Sequence, residues 1–371
     1  MRTERYRELV ETLKADILSG KYKADQRFPS VRAIVLKHKV SSVTVHRALA
    51  ELTRQGLVDS RQGTGTFVTR LGTSRNLGLI APGIVDSDVM LRIVTELNRL
   101  AQQAGYTVVA ADMSAKSPKE RAQAALRFAD DLVMSNVAGV VFQPFEHFSG
   151  ADAFNERIVA KFKSVNVPVV LVGCDIDRDD VRGKCDVVGV NGNDAGYRLG
   201  RHLLNSGSKS VTIISRPNSA LTARNVENGV INAIISGGGA NICKYRTLTV
   251  EPDDVDALRR HLDTEKPDAI VCADDEMAAR LYRTLAKLGR RIPEDVMVAG
   301  FGDLHFTSLM IPSLTTIKVP SVDVAGAAFS RLIARADDPS LSPFEISLFA
   351  PLVERESTSG RDDLFKAKRN K

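Results

Sequence analysis

The sequence predicts an α/β chain in three parts: a small winged helix–turn–helix head, a short polar linker, and a long body of two lobes built on parallel sheets. Three observations carry this expectation. Positive charge is concentrated in the first 75 residues, which hold 15 Lys and Arg against 7 Asp and Glu, while the rest of the chain holds 36 against 38. Residues 26–68 run through two short amphipathic segments into a Gly-rich hairpin. From Leu77 onward, β-branched apolar runs alternate with helical patterns about every 25–30 residues, the signature of parallel sheets covered on both faces.

A chain of 371 residues suits two or three such units and buries a core without staples. Its 43% hydrophobic and 26% charged residues are ordinary for a soluble globular protein. Cys174, Cys185, Cys243 and Cys272 form no CxxC pair and sit mostly in apolar runs, so they read as reduced thiols of a cytosolic protein. The opening MRTERYRELV has no apolar leader core, and no apolar run approaches ~18 residues, so the expectation is a soluble, cytoplasmic chain without a membrane partner. A polar, mostly basic tail closes it.

In the head, Tyr6, Leu9, Val10, Leu13 and Ile17 share one helical face, with Gly20 as its stop. Ser30 caps a second helix whose Val31, Ile34 and Val35 point inward, and Ser41 caps a third with Val45, Ala48, Leu49 and Leu52 as its buried stripe. The opposite face of this third helix displays Ser42, Thr44, His46 and Arg47. Helix–turn–helix geometry sets such a face in the DNA major groove, where hydroxyls and cations reach base edges. After Gly56, two strands flank Arg61-Gln62-Gly63-Thr64-Gly65, a wing whose glycines allow close backbone approach to phosphate and whose Arg61 brings charge. Either glycine alone would be an ordinary hairpin turn.

Polar Thr69–Asn76 reads as the linker. The body's apolar runs fall at Leu77–Ile80, Thr107–Ala111, Gly139–Phe142, Val169–Val172, Val187–Val190, Val211–Ile214, Ala269–Cys272 and Val296–Ala299, more than one compact sheet needs, hence two lobes. Ligands of such folds sit beyond the carboxyl ends of the strands. The residues there are Asp86, Gln143, Asp175, Asn193, Arg224, Asp274 and Asp303, a set of carboxylates, amides and one guanidinium that suits a polar, polyhydroxylated small molecule. Asp274 opens ADDEMAARL, so a plain helix cap competes with a ligand contact there.

The segment FPSVRAIVLKHKVSSVTVHRALAELTRQGLVDSRQGTGTFV resembles the winged helix–turn–helix of GntR-family bacterial transcription regulators. The resemblance implies DNA contacts at Arg32, Ser41, Thr44, Arg61, Gln62 and Gly63. Ser42 and His46 stand where that family usually has arginines, so the operator sequence does not carry over. NLGLIAPG, AGVVFQP, VPVVLVG, VGVNGNDAGYRLGRHLL, IVCADDEMAARLYRTLAKLGRRIPEDVMVAGFGD and IPSLTTIKVP are similar, in order and spacing, to the sugar-sensing domain of LacI/GalR-type repressors, which share the periplasmic-binding-protein fold. This implies lobes that exchange chain near residues 190 and 318 and close over an effector, pairing into a homodimer. The implied bounds are head 1–70, linker 71–76 and body 77–371, with lobe 1 at 77–190 and 319–345 and lobe 2 at 191–318 and 346–360. Gln143 and Asp274 match effector-contacting positions of that family, and Arg224 lies near its ligand arginine. Gly300-Phe301-Gly302-Asp303 departs from a usual Gly-Phe-Asp-Asp, so a frequent hydroxyl partner is missing.

The function expected is therefore a repressor that binds operator DNA under control of a sugar-like effector, with no cofactor and no resident metal. The rival reading is an enzyme or a solute-binding protein fused to a DNA-binding head. No His-Glu-x-x-His, Walker A, Gly-x-Ser-x-Gly or dinucleotide glycine pattern supports an enzyme. Asp175-x-Asp177-x-Asp179 opens like a calcium loop but lacks its sixth-position glycine.

Overall fold

The computed structural model describes residues 2–18, 21–22, 26–54, 57–61, 64–68, 76–84, 87–111, 113, 117–176 and 183–359. The head holds helices α1 (Arg2–Leu18), α2 (Val31–His38) and α3 (Ser42–Arg54), then strands β1 (Val58–Arg61) and β2 (Gly65–Val68). The predicted stripes meet in one core, in which Leu13, Ile17, Ile34, Val45, Ala48 and Leu52 are almost fully buried. Both serine caps are in place: Ala33 N donates to Ser30 Oγ at 3.2 Å and Thr44 N to Ser41 Oγ at 3.2 Å. Residues 26–28 add a third strand-like segment along β2, with Phe28 N donating to Thr66 O at 2.8 Å and Val68 N to Gln26 O at 2.9 Å. Gly20 and Gly56 lie outside the described residues.

The first lobe runs β3 (Asn76–Ile80), α4 (Asp88–Gln103), β4 (Thr107–Ala110), α5 (Pro118–Met134), β5 (Gly139–Phe142), α6 (Ala151–Lys163), β6 (Val169–Val172) and β7 (Asp186–Val190). The chain then crosses to the second: α7 (Gly192–Asn205), β8 (Ser210–Ser215), α8 (Leu221–Ser236), β9 (Lys244–Thr249), α9 (Val255–Glu265), β10 (Ala269–Cys272), α10 (Asp275–Lys287), β11 (Met297–Gly302) and β12 (Thr315–Lys318). It returns as α11 (Ser321–Asp337), which packs on the first sheet beside α4, and ends with β13 (Glu345–Leu348) and β14 (Leu352–Val353). The two six-stranded sheets have orders β13-β7-β6-β5-β3-β4 and β14-β12-β11-β10-β8-β9, parallel except for β14. Each strand run read from the sequence is present. The strands not foreseen are β9, β12 and β13, whose residues alternate or carry threonine instead of forming an apolar run, and β14, which is only two residues long. Glu345–Leu348 pairs with β7, so the last crossing falls between Leu348 and Leu352, beyond the expected 345/346 boundary.

Two details fix the lobes. At Gly196 of α7 a Cβ would lie 2.0 Å from Val226 O of α8, so only glycine permits this helix contact. Asp186, at the start of β7 and 1% exposed, pairs with Arg331 of α11 and accepts Phe344 N at 2.9 Å. Removing one partner of such a buried pair costs about 3–5 kcal/mol, so this contact ties the returning helix to its sheet.

Candidate nucleic-acid interface and ligand cleft

On the head, Arg32 projects from α2 and is exposed, as are Ser42 and His46 on α3. Thr44 is half-buried because its hydroxyl sits 2.8 Å from Ser41 Oγ, within the cap of the helix. Arg47 is exposed as well, and its guanidinium lies 5.2 Å from the Tyr6 ring centroid, a cation–π contact between the third helix and the first. Val43, 66% exposed on the first turn of α3, was not foreseen, because an isolated valine there reads as core. An exposed methyl pair at this point suits apolar contact with a thymine methyl. Arg61 ends β1 opposite Gly65, and Gln62 and Gly63 lie outside the described residues.

In the body the carboxyl ends of β3, β5, β6 and β7 face those of β8, β10 and β11 across a cleft of about 300 Å3. Its apolar walls include Met90, Ile93, Val172, Phe301 and Val324, and its polar groups include Ser87, Gln143, Glu146, His147, Arg216, Thr222, Asp274 and Glu276. Three buried polar atoms of these residues have no hydrogen-bond partner among the described residues: Gln143 Oε1, His147 Nδ1 and Arg216 Nε. They come from both lobes, Gln143 and His147 from the loop after β5 and Arg216 from the loop after β8. Arg216 Nη2 is 3.1 Å from Asp274 Oδ2, while Asp274 Oδ1 accepts Met277 N at 2.7 Å and caps α10. Asp274 is thus a helix cap that also lines the cleft.

Hydrogen bonds join the lobes at two rims. Ala220 N donates to Glu146 Oε2 at 2.7 Å and His147 N to Asn218 O at 2.7 Å. At the other rim, Asp88 Oδ2 accepts His305 N at 2.9 Å and meets the His305 ring, and the His305 amide, then the ring, hold the Asp88 carboxyl below its ordinary range. Cys174 also lines the cleft, its thiol pushed up to about 11 by burial.

Of the seven expected ligand residues, Gln143 and Asp274 line this cleft. Asp86 lies outside the described residues. Asp175 and Asn193 line an adjoining pocket of about 180 Å3 that shares Gly173, Cys174, Gly189, Val190 and Thr222 with the cleft, and both Asp175 oxygens are engaged by backbone, Ile176 N at 2.8 Å and Gly183 N at 2.6 Å. That closes a loop on itself, the same carboxylate that opened the calcium-like pattern. Arg224 projects from α8 into a neighbouring open pocket of about 500 Å3. Asp303, 14% exposed at its side chain, is held by Arg355 Nη2 at 2.7 Å and does not reach the cleft. The cleft's guanidinium is Arg216, which sequence reasoning missed; its position just past a strand end was the available signal.

The missing aspartate at 302 has a physical reason. Gly302 has φ 138°, and a Cβ there would sit 3.1 Å from Asp275 Oδ2. Asp275 is fully buried, accepts Thr316 Oγ1 at 2.6 Å and Leu304 N at 3.0 Å, and burial raises it to about 6. A second carboxylate at 302 would face this one in a strained backbone.

Residues 5–68 match the gntR family of bacterial regulatory proteins, and residues 201–358 match the periplasmic binding protein-like domain. The chain is 24% identical over 366 residues to the arabinose metabolism transcriptional repressor of Geobacillus stearothermophilus, covering 95% of this chain and 97% of that one. It is 25% identical over 353 residues to the ribose operon repressor of Halalkalibacterium halodurans, covering 90% and 98%. Among solved structures it resembles a LacI family transcriptional regulator from Enterococcus faecalis V583 with bound ribose, with a TM-score of 0.61 and 18% identity over 76% of this chain and 98% of that one. Among the described residues no helix is long and apolar enough to cross a membrane.

Proposed function

We propose that this protein, which joins a gntR-family regulatory head to a periplasmic-binding-protein-like body, is a transcriptional repressor whose grip on operator DNA is set by a sugar in the body's cleft. One observation carries the effector reading. Gln143 Oε1 needs a donor, Arg216 Nε needs an acceptor, and His147 Nδ1 takes either according to its tautomer. A buried polar atom left unpaired costs about 1–3 kcal/mol, and adjacent sugar hydroxyls, each both donor and acceptor, supply all three partners at once. The half-apolar wall suits the C–H face of a sugar ring.

The relatives' names, repressors of arabinose and ribose systems, support the same class of effector. They equally favour a sensor over a catalyst in the body. Two copies of the chain would place two α3 helices on the half-sites of a near-palindromic operator. Exposed Leu309 and Ile311, at 75% and 93%, support an interface between copies. Ligand bound across both lobes favours one lobe arrangement, and residues 69–75, which join head and body, pass that preference to the spacing of the heads. In the head, Arg32, Ser42, Thr44, His46 and Val43 meet the duplex, with Arg61, Gln62 and Gly63 on the wing.

A thermal-shift screen against pentoses, hexoses, disaccharides, sugar phosphates and nucleosides tests this. Ligand at ~100 times its dissociation constant adds about 2.7 kcal/mol to the native state. The expected outcome is a sugar that raises Tm and changes retention of DNA. Stabilisation by nucleosides alone would contradict the sugar reading.

A further inference from the structure

The cleft does not end at its rim. The open pocket of about 500 Å3 that receives Arg224 shares four wall residues with the cleft: Glu146, Arg216, Ser219 and Ala220. Between the two spaces stands the bridge formed by His147 N to Asn218 O and Ala220 N to Glu146 Oε2. Both residues of the first hydrogen bond are non-glycine with positive φ, 66° at His147 and 54° at Asn218. Left-handed backbone costs an L-residue about 1–2 kcal/mol, somewhat less for asparagine, and such strain gathers where a segment has to move. The bridge is thus a thin, strained wall between two cavities, each bounded by both lobes.

The outer pocket offers its own recognition surface. Phe148 lines it, its ring held edge-to-face against Phe154 at 6.1 Å and 77°, a fixed apolar platform for the flat face of a ring. Asn228, exposed on α8, lines the same pocket and supplies an amide. Arg216 spans the wall, with Nη2 tied to Asp274 in the cleft and Nε without a partner among the described residues. The cleft measures about 300 Å3, and the outer pocket adds about 500 Å3 beyond the bridge.

Resting on the sugar reading above, we propose that the effector is a disaccharide. One ring occupies the cleft at Gln143 and Asp274, the glycosidic link passes Arg216 and Glu146, and the second ring lies on Phe148 in the outer pocket. The bridge opens to admit it and closes around the link.

Titration calorimetry on the full chain, with a panel of disaccharides and their component monosaccharides, tests this. The expected result is one disaccharide bound at least about tenfold more tightly than either component, equivalent to about 1.4 kcal/mol. Phe148→Ala and Asn228→Ala should each weaken that disaccharide by threefold or more, on the order of 0.6 kcal/mol, and leave the component monosaccharide within about twofold. Asn228→Ala is a surface change, so it remains informative where Phe148→Ala disturbs packing against Phe154. Components that bind as tightly as every disaccharide would overturn the inference and leave the sugar reading standing. So would disaccharide affinity indifferent to Asn228→Ala and no more sensitive to Phe148→Ala than monosaccharide affinity. A panel in which neither class binds would overturn the sugar reading and this inference with it.

Discussion

The head and the cleft solve recognition in opposite ways. The head's proposed DNA-facing side chains are contiguous in sequence: Arg32 through His46 spans a few turns of chain, and these exposed side chains are set by caps and a buried stripe of the same small domain. The cleft is concave and assembled from loops far apart in sequence, with Gln143 and His147 on one lobe and Arg216 and Asp274 on the other. A contiguous surface tolerates loss of one contact, because its neighbours stay in place. A convergent cleft does not, because each polar group is aimed by a different element and the burial that sharpens it leaves it unpaired when its partner goes.

The difference is sharpest at Arg216. Arg216→Ala removes the cleft's guanidinium and strips Asp274 of its ion-pair partner, so effector affinity should fall by about 100-fold, whereas Asp175→Ala, whose oxygens are spent on its own loop, should change it less than about threefold. Calorimetry reads both, and similar losses from the two would break the assignment of the site. On the head, Arg32→Ala should lower operator affinity by about tenfold and flatten its salt dependence, with effector affinity untouched, as anisotropy titrations at several salt concentrations would register. Ser41→Ala removes the cap of α3 and should destabilise the head by about 1 kcal/mol, seen by denaturant unfolding of the full chain followed at Tyr6 or Tyr22.

The least of the effects is a pH response that belongs to the body. Asp275 is raised to about 6 by burial, then modulated by its bonds from Thr316 and Leu304. The folded state therefore holds this proton more firmly than the unfolded chain, and the group's contribution to stability declines as pH rises from the ordinary carboxyl range through 6. Head acid Asp16 is shifted the other way by its Lys21 partner, so it gives no such trend between pH 5 and 7. Melting curves at pH 5 and 7 should show Asp275→Asn relatively more stabilised at pH 7 than at pH 5 against the parent chain. Equal shifts at both values would remove Asp275 as the source.

How much of this was legible in the sequence follows the same contrast. Helix caps at Ser30 and Ser41, the stripes of α1 and α3, and the β-branched strands of both lobes are local signals, and they place the fold. The contact of Arg47 with Tyr6 was not legible, because its partner lies on another helix. In the body, strand ends marked Gln143 and Asp274, but not how far the following loop carries a side chain. Arg216 lies immediately after β8 and enters the cleft, whereas Arg224 lies a turn into α8 and faces the outer pocket. Asp303 follows a strand too, yet its left-handed backbone turns it toward Arg355. The edge strand β9 and the threonine-rich β12 carry too little apolar periodicity to announce themselves.

The central claim is that one chain holds two separable sites joined by a single coupling. Its most direct test is operator affinity, measured by anisotropy on a duplex selected from random sequence, with and without saturating effector, for the parent chain and Arg216→Ala. The account predicts that effector shifts the parent's operator affinity by about 5–150-fold, the usual range of coupling between sites, and that Arg216→Ala binds the duplex as the parent does without effector but no longer responds at the concentration that saturates the parent. An Arg216→Ala protein that responds like the parent, or one that folds normally yet fails to bind the duplex at all, would contradict it.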